Sequence, residues 1–105
     1  MRRGEVWWAA LPPPLGHRPV VLLSRNSAYP VRLSVTVAPV TRRVRGLLAE
    51  VLLGPADGLP RPCVANADNI NTIPKDSLQK YISTLSAAKL QALEGAIHFA
   101  LGLES

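Results

Sequence analysis

Arg18 and Thr41 are the two residues whose type and placement suggest chemistry. Arg18 opens the apolar run Pro19-Val20-Val21-Leu22-Leu23, and Thr41 closes a second run that begins at Leu33. A guanidinium at the mouth of one strand and a hydroxyl at the end of its neighbour can meet at one rim of a small barrel. Such a pair suits work on phosphate. Arginine stays charged at any physiological pH and fits phosphate oxygens through two parallel donors, while a threonine hydroxyl holds or orients an oxygen. His17 directly precedes Arg18, where an imidazole can act as a base near neutral pH. Arg25, Arg42, Arg43 and Arg45 are candidates for phosphate contact.

The charge distribution points the same way. All nine arginines lie in residues 1–61, against three acids (Glu5, Glu50, Asp57), for a net +6. Residues 62–105 carry three lysines and four acids, for −1. Arginine both pairs with phosphate and stacks on bases, so this excess favours a nucleic-acid or acidic partner over solubility alone. Other chemistries find little support. His17, His98 and Cys63 are scattered, with no CxxC or HExxH spacing, so no metal is expected. Neither a GxGxxG nor a Walker loop occurs, and there is no GxSxG elbow, so no cofactor is expected. The single Cys63 reads as a small buried hydrophobe in a reducing cytosol.

These residues need strands to hold them. Pro19 to Leu23 is short, continuous and β-branched, which suits a strand buried on both faces. Leu33 to Val37 alternates apolar and polar residues, as a half-buried strand does. Ser24 to Pro30 is the loop between them, by its Asn, Ser and Pro content. Before them, Glu5 to Leu11 reads as a first strand, whose adjacent Trp7 and Trp8 must point to opposite faces. Pro12 to His17 is a stiff loop that delivers the chain to Arg18. After Thr41, Arg42 to Gly46 is too charged to bury and reads as a loop. Leu47 to Leu53 reads as a strand that places Glu50 among apolar neighbours, where burial demands a partner such as an arginine, Arg18 being one candidate. Cys63–Ala65, Ile70–Ile73 and Leu78–Ser83 are further short strands, with a helical turn at Pro74 to Ser77. A closing helix has Ser86 as N-cap, an apolar stripe of Leu90, Leu93, Ile97 and Leu101, and Gly102 as its stop.

At 105 residues the chain is one domain, residues 1–105, short enough that a second copy would help bury its surface. No apolar run approaches the roughly 18 to 20 residues that span a bilayer. Pro12-Pro13-Pro14 interrupts what would be the apolar core of a signal peptide, so the expected location is cytoplasmic, with no membrane.

The ordered set of short motifs resembles the MazF/PemK family of toxin endoribonucleases. The matching pieces are Arg3-Gly4-Glu5-Val6-Trp7, Arg18-Pro19-Val20-Val21 and Val37-Ala38-Pro39-Val40-Thr41. They continue with Glu50-Val51, Asp57-Gly58-Leu59, Asn69-Ile70-Asn71-Thr72-Ile73 and Ala100-Leu101-Gly102-Leu103. Each is weak alone; the sequence of them covers nearly the whole chain.

The resemblance implies a mainly β (α+β) fold, a small SH3-like antiparallel barrel with a C-terminal α-helix. It implies a sequence-specific, metal-independent endoribonuclease that cuts single-stranded RNA, chiefly mRNA, as the toxin of a toxin–antitoxin pair. Products would carry 2′,3′-cyclic phosphate and 5′-hydroxyl ends. Arg18 and Thr41 take the catalytic roles by their match to the family's motifs. His17, Arg25, Arg42, Arg43 and Arg45 stand as RNA-binding candidates. Also implied are a homodimer and a cognate MazE-like antitoxin whose acidic, disordered segment folds onto it. The chain departs from the resemblance in its short Pro12 to His17 loop, where many relatives carry a longer Gly-rich insertion. Two other classes fit the same fold: a non-catalytic RNA- or protein-binding module, and a CcdB-like gyrase poison. The presence of both Arg18 and Thr41 counts against the first. The absence of an aromatic C-terminal tail counts against the second.

Overall fold

The computed structural model describes residues 1–103. Its strands are β1 (Glu5–Ala10), β2 (His17–Leu22), β3 (Ser34–Thr41), β4 (Glu50–Leu53), β5 (Cys63–Asn66), β6 (Asn71–Pro74) and β7 (Leu78–Thr84). One helix follows, α1 (Ala87–Ala100). Every strand pairing is antiparallel. The order across the sheet is β4-β5-β3-β2-β1-β7, with β6 also paired to β3.

β2 and β3 occupy the middle because their residues can be covered on both sides. Val20, Val21 and Leu22 are wholly buried. Val21 packs in one core cluster with Val6, Val40 and Leu93, while Val20 and Leu22 pack in the other with Ala9, Val35 and Val37. A continuous apolar run thus serves two cores at once. β3 is longer than its alternating portion, reaching through Ala38 and Pro39 to Thr41. Pro39 is tolerated there because the outer partner changes. β6 pairs as far as Val37, and β5 takes over only at Val40, so the missing N–H falls in the gap.

The expected barrel is an open sheet. Its end strands β4 and β7 pair with β5 and β1 respectively, and not with one another. The connection after β4 bridges the opening instead. The Ser83 hydroxyl on β7 donates to the Asp57 carbonyl at 2.6 Å. Gly58, at φ +85°, makes this approach possible, since a Cβ there would stand 2.5 Å from the Ser83 Cβ.

Three sequence expectations change. Leu33 lies before β3 and is 89% exposed, its carbonyl taking the Lys75 N–H. Leu47 and Leu48 belong to an exposed turn, closed by the Glu50 N–H on the Leu47 carbonyl, so β4 starts at Glu50. A leucine run looks the same to a pattern whether it enters the sheet or turns outside it. Leu101 is exposed at the helix C-cap, so the buried face of α1 is Leu93 and Ala96, flanked by Ile97. The helix ends are as expected. Ser86 Oγ accepts from the Lys89 N–H at 3.2 Å. Gly102 and Leu103 return their N–H groups to the Phe99 and His98 carbonyls, with Gly102 at φ +67°. Among the described residues no helix is long and apolar enough to cross a membrane.

Candidate active site

The β2–β3 register brings Arg18 and Thr41 together. Val20 pairs with Pro39, Val21 with Ala38 and Leu22 with Val37. Continuing that ladder by two residues places Arg18 opposite Thr41. Both line one cleft of about 990 Å³ at the rim where β2 begins and β3 ends. The same cleft takes in His17, Pro19, Val40, Arg42 and Arg43 from these two strands and the loop after β3. Trp8 comes from β1, and Lys80, Tyr81 and Ile82 from β7. Leu59, Pro60, Arg61 and Cys63 close the side nearest β5.

Arg18 is held in place without being neutralised. Its Nε donates to the Leu15 carbonyl at 2.6 Å, within the proline loop that precedes it. Among the described residues no carboxylate pairs with it, so its terminal nitrogens keep their donors for a ligand. The sequence expectation that Glu50 might supply an ion pair for an arginine side chain is not met. Glu50 is half-buried, and its Oε1 instead accepts the backbone N–H groups of Arg45 and Leu47, at 3.0 and 3.3 Å. That arrangement ties down the basic loop after β3. Thr41 Oγ1 accepts the Arg43 N–H at 3.2 Å, which leaves its own O–H free to donate outward.

Arg18, Arg42, Arg43, Arg61 and Lys80 surround the cleft, and no carboxylate is among its lining residues. Within it, developing negative charge meets cations and donors beside apolar side chains such as Pro19, Val40 and Leu59. Cys63 sits at the floor but is buried, and its Sγ points to the Leu53 carbonyl at 3.7 Å. Burial, reinforced by the Asp57 carboxylate, pushes its thiol pKa up, which makes it a poor nucleophile. The described residues contain no group of three His, Cys, Asp or Glu side chains able to hold a metal.

The sequence candidates divide. His17, Arg18, Thr41, Arg42 and Arg43 come together in the cleft. Arg25 lies elsewhere, beside Arg32, Ser24 and Thr36 in a small depression of about 110 Å³. Arg45 is not among the cleft residues. Sequence reasoning missed Arg61, Lys80, Trp8 and Tyr81 as site residues. The Trp7-Trp8 pair was the available signal, since one indole had to face away from the core. Arg61, Lys80 and Tyr81 carried none, because only the closing of β7 onto β1 brings the last two near Arg18.

Comparison with known proteins shows the family. A family model described as the PemK-like, MazF-like toxin of type II toxin–antitoxin systems matches residues 2–101. The chain is 42% identical over 91 residues to a probable endoribonuclease, MazF2, of Mycobacterium tuberculosis, covering 86% of this chain and 87% of that one. Its structure matches the M. tuberculosis toxin MazF-mt6 with a TM-score of 0.89 at 39% identity, over 96% of this chain and 99% of that one. An endoribonuclease from a mycobacterial species, solved in complex with its cognate antitoxin, matches with a TM-score of 0.89 at 31% identity, over 100% and 98% of the two chains. An arginine and a threonine from paired strands, lining one cationic cleft, therefore sit in a chain that belongs to the PemK-like, MazF-like toxin family of type II toxin–antitoxin systems.

Proposed function

We propose that this chain is an endoribonuclease toxin that cuts single-stranded RNA, chiefly mRNA, at chosen sequences and without a metal ion. The observation that carries this reading is the meeting of Arg18 and Thr41 in one cleft that no carboxylate lines. RNA brings its own nucleophile, the ribose 2′-OH, which attacks the adjacent phosphorus as the 5′-oxygen leaves. The protein has to orient that hydroxyl, stabilise the charge that builds on the phosphoryl oxygens, and manage two protons.

Arg18 suits the charge. Its Nε bond to Leu15 fixes the guanidinium plane before substrate arrives, so little reorganisation is needed in the transition state. The free O–H of Thr41 donates to a non-bridging oxygen or holds the 2′-OH in line. His17, exposed at the mouth of the cleft, is the candidate to take the 2′ proton. Arg42, Arg43, Arg61 and Lys80 hold the flanking phosphates. The leaving 5′-oxygen takes its proton from water, so the products are a 2′,3′-cyclic phosphate and a 5′-hydroxyl.

The same cationic cleft suits an acidic antitoxin segment, which would block RNA by occupying its site. We further propose a homodimer acting in the cytoplasm. The test is to incubate purified protein with a mixed RNA pool in EDTA and map both ends of each cut. Metal-free cutting that leaves cyclic phosphate is expected, with DNA of the same sequence uncut because it lacks the 2′-OH. Intact RNA in that assay, or cutting that stops on chelation, would overturn the proposal.

A further inference from the structure

The two adjacent tryptophans of β1 have different fates. Trp7 is half-buried, its Nε1 donates to Glu5 Oε1 at 2.9 Å, and its ring meets Tyr81 edge-on with centroids 6.1 Å apart. Trp8 is 38% exposed and lines the cleft, and no hydrogen bond of its indole N–H occurs among the described residues. The fold leaves part of the Trp8 indole face open inside a cationic cleft.

Its position is rigid. β1 is paired on both sides, with Trp8 opposite Pro19 of β2 and opposite Lys80 of β7. Arg18 is the next register position, opposite Ala9. The backbones of Trp8 and Arg18 are thus separated by one residue step and one strand spacing, about 6 Å. Strand alternation sends such neighbours to opposite sides in the middle of a sheet. At this rim one cleft takes in both. Tyr81 also lines the cleft, its ring held by Trp7 and its hydroxyl bonded to Thr84 Oγ1 at 2.7 Å.

We propose that Trp8 is a base-stacking subsite that holds one unpaired nucleobase next to the phosphate gripped by Arg18 and Thr41. This rests on the ribonuclease reading and deepens it. A fixed aromatic face binds any base through its ring, and a neighbouring cation, here Lys80, holds the backbone that carries that base. The subsite requires an unstacked base, so it selects single strands over duplexes.

The experiment uses the full-length protein and a 2′-O-methyl RNA oligonucleotide that binds but cannot be cut, with cleavable RNA assayed in parallel. Adding the uncut RNA should quench the tryptophan emission that wild type has and Trp8→Phe lacks. Trp8→Ala should raise KM for cleavage about tenfold, the loss expected for one stacked base, with kcat little changed. Trp8→Phe should recover most of that loss, because a phenyl ring still stacks. Duplex RNA should not quench. If wild type cuts RNA while Trp8→Ala matches its KM, or if Trp8 emission ignores the oligonucleotide, the subsite is wrong and the nuclease reading stands. If wild type does not cut RNA at all, the nuclease reading fails. Quenching by the uncut RNA would then still support a stacking site, and its absence would remove both. If Trp8→Ala does not fold, the emission difference between wild type and Trp8→Phe decides alone. Equal monomer–dimer distributions of wild type and Trp8→Phe are expected; a shift with unaltered KM would make Trp8 an interface residue and overturn the subsite.

Discussion

The β2–β3 pair carries an arginine-bearing concavity near each end, and the two differ in kind. At the end where β2 begins lies the cleft of about 990 Å³, with Arg18 and Thr41 facing each other beside an exposed indole. Near the other end, Arg25 and Arg32 flank a depression of about 110 Å³ lined by Ser24, Ser34, Thr36 and Thr72. The first is within the range of about 300–1,000 Å³ usual for ligand sites; the second falls well below it. Part of the small depression's polar lining is engaged within the fold. Thr36 and Thr72 share a hydrogen bond through their hydroxyls at 3.2 Å, and Ser24 Oγ accepts the Thr36 N–H at 2.8 Å. In the cleft, the terminal nitrogens of Arg18 and the hydroxyl proton of Thr41 are left for a ligand beside a wall that includes Trp8, Pro19, Val40 and Leu59. Arginine density therefore does not locate a site. Room and an apolar wall do.

Substitutions at the two ends should separate accordingly. The largest effect belongs to Arg18→Ala, expected to slow cleavage by at least about 10²–10³-fold, the usual cost of one preorganised donor to developing charge. Its melting temperature and oligomeric state should stay near those of wild type; a misfolded product would mean that Arg18 holds the proline loop rather than the phosphate. Thr41→Val should cost about ten- to a hundredfold in kcat, the range for one hydrogen bond to a charged group, while Thr41→Ser retains most activity. Equal losses in Thr41→Ser and Thr41→Val would assign the methyl group, not the hydroxyl, the important role.

Binding measured against salt gives a finer comparison. Arg43→Ala, or Lys80→Ala, should weaken RNA binding and lower the slope of log K on log salt by about 0.7 each, one released counterion on a single strand. Arg25→Ala and Arg32→Ala should leave that slope unchanged. The six residues of β2 alone set the two ends about 20 Å apart. That exceeds the screening length of about 8 Å at physiological salt. A slope that falls equally for Arg25→Ala would show that the RNA runs across both ends.

The smallest effect concerns stability near the minor depression. Tyr29 is buried and its hydroxyl has no hydrogen-bond partner among the described residues; Ser24 is near enough to lower its pKa slightly but forms no bond of good geometry. Burial nonetheless dominates and pushes the phenol up to about 12, against partial lowering by Arg3. The folded state then binds its proton more tightly than the unfolded chain does. Stability is kept below the unfolded value near pH 10 and lost as pH rises toward about 12. Tyr29→Phe should flatten that alkaline loss and cost nothing near neutrality, since it removes an orphaned hydroxyl. Melting curves of both proteins from pH 8 to pH 11, roughly spanning the onset of phenol ionisation, check this.

Several elements were legible because a local pattern has one physical solution. The run Val20-Val21-Leu22 could only be covered on both faces, and it is. Ser86 and Gly102 bound the helix by backbone chemistry that needs no distant partner. The apolar neighbours of Glu50 suggest burial beside an arginine side chain, whereas its carboxylate turns to the Arg45 and Leu47 N–H groups at the end of the loop. Leu33, Leu47 and Leu48 were placed in strands because hydrophobicity marks them as able to be buried, not as buried. Whether a leucine is covered depends on which element arrives above it.

Residue order alone determined the chemistry on offer: an arginine-rich first half, Arg18 at a strand mouth, Thr41 at a strand end, and a spare indole. The tertiary structure decided which of these meet. The β2–β3 ladder sets Arg18 against Thr41, and the β1–β7 pairing carries Lys80 and Tyr81 to the same rim while leaving Arg25 at the other. The reason is that side-chain type is encoded at each position, whereas proximity between residues far apart in the chain follows from strand register. Register is set cooperatively, by which apolar faces can be buried together.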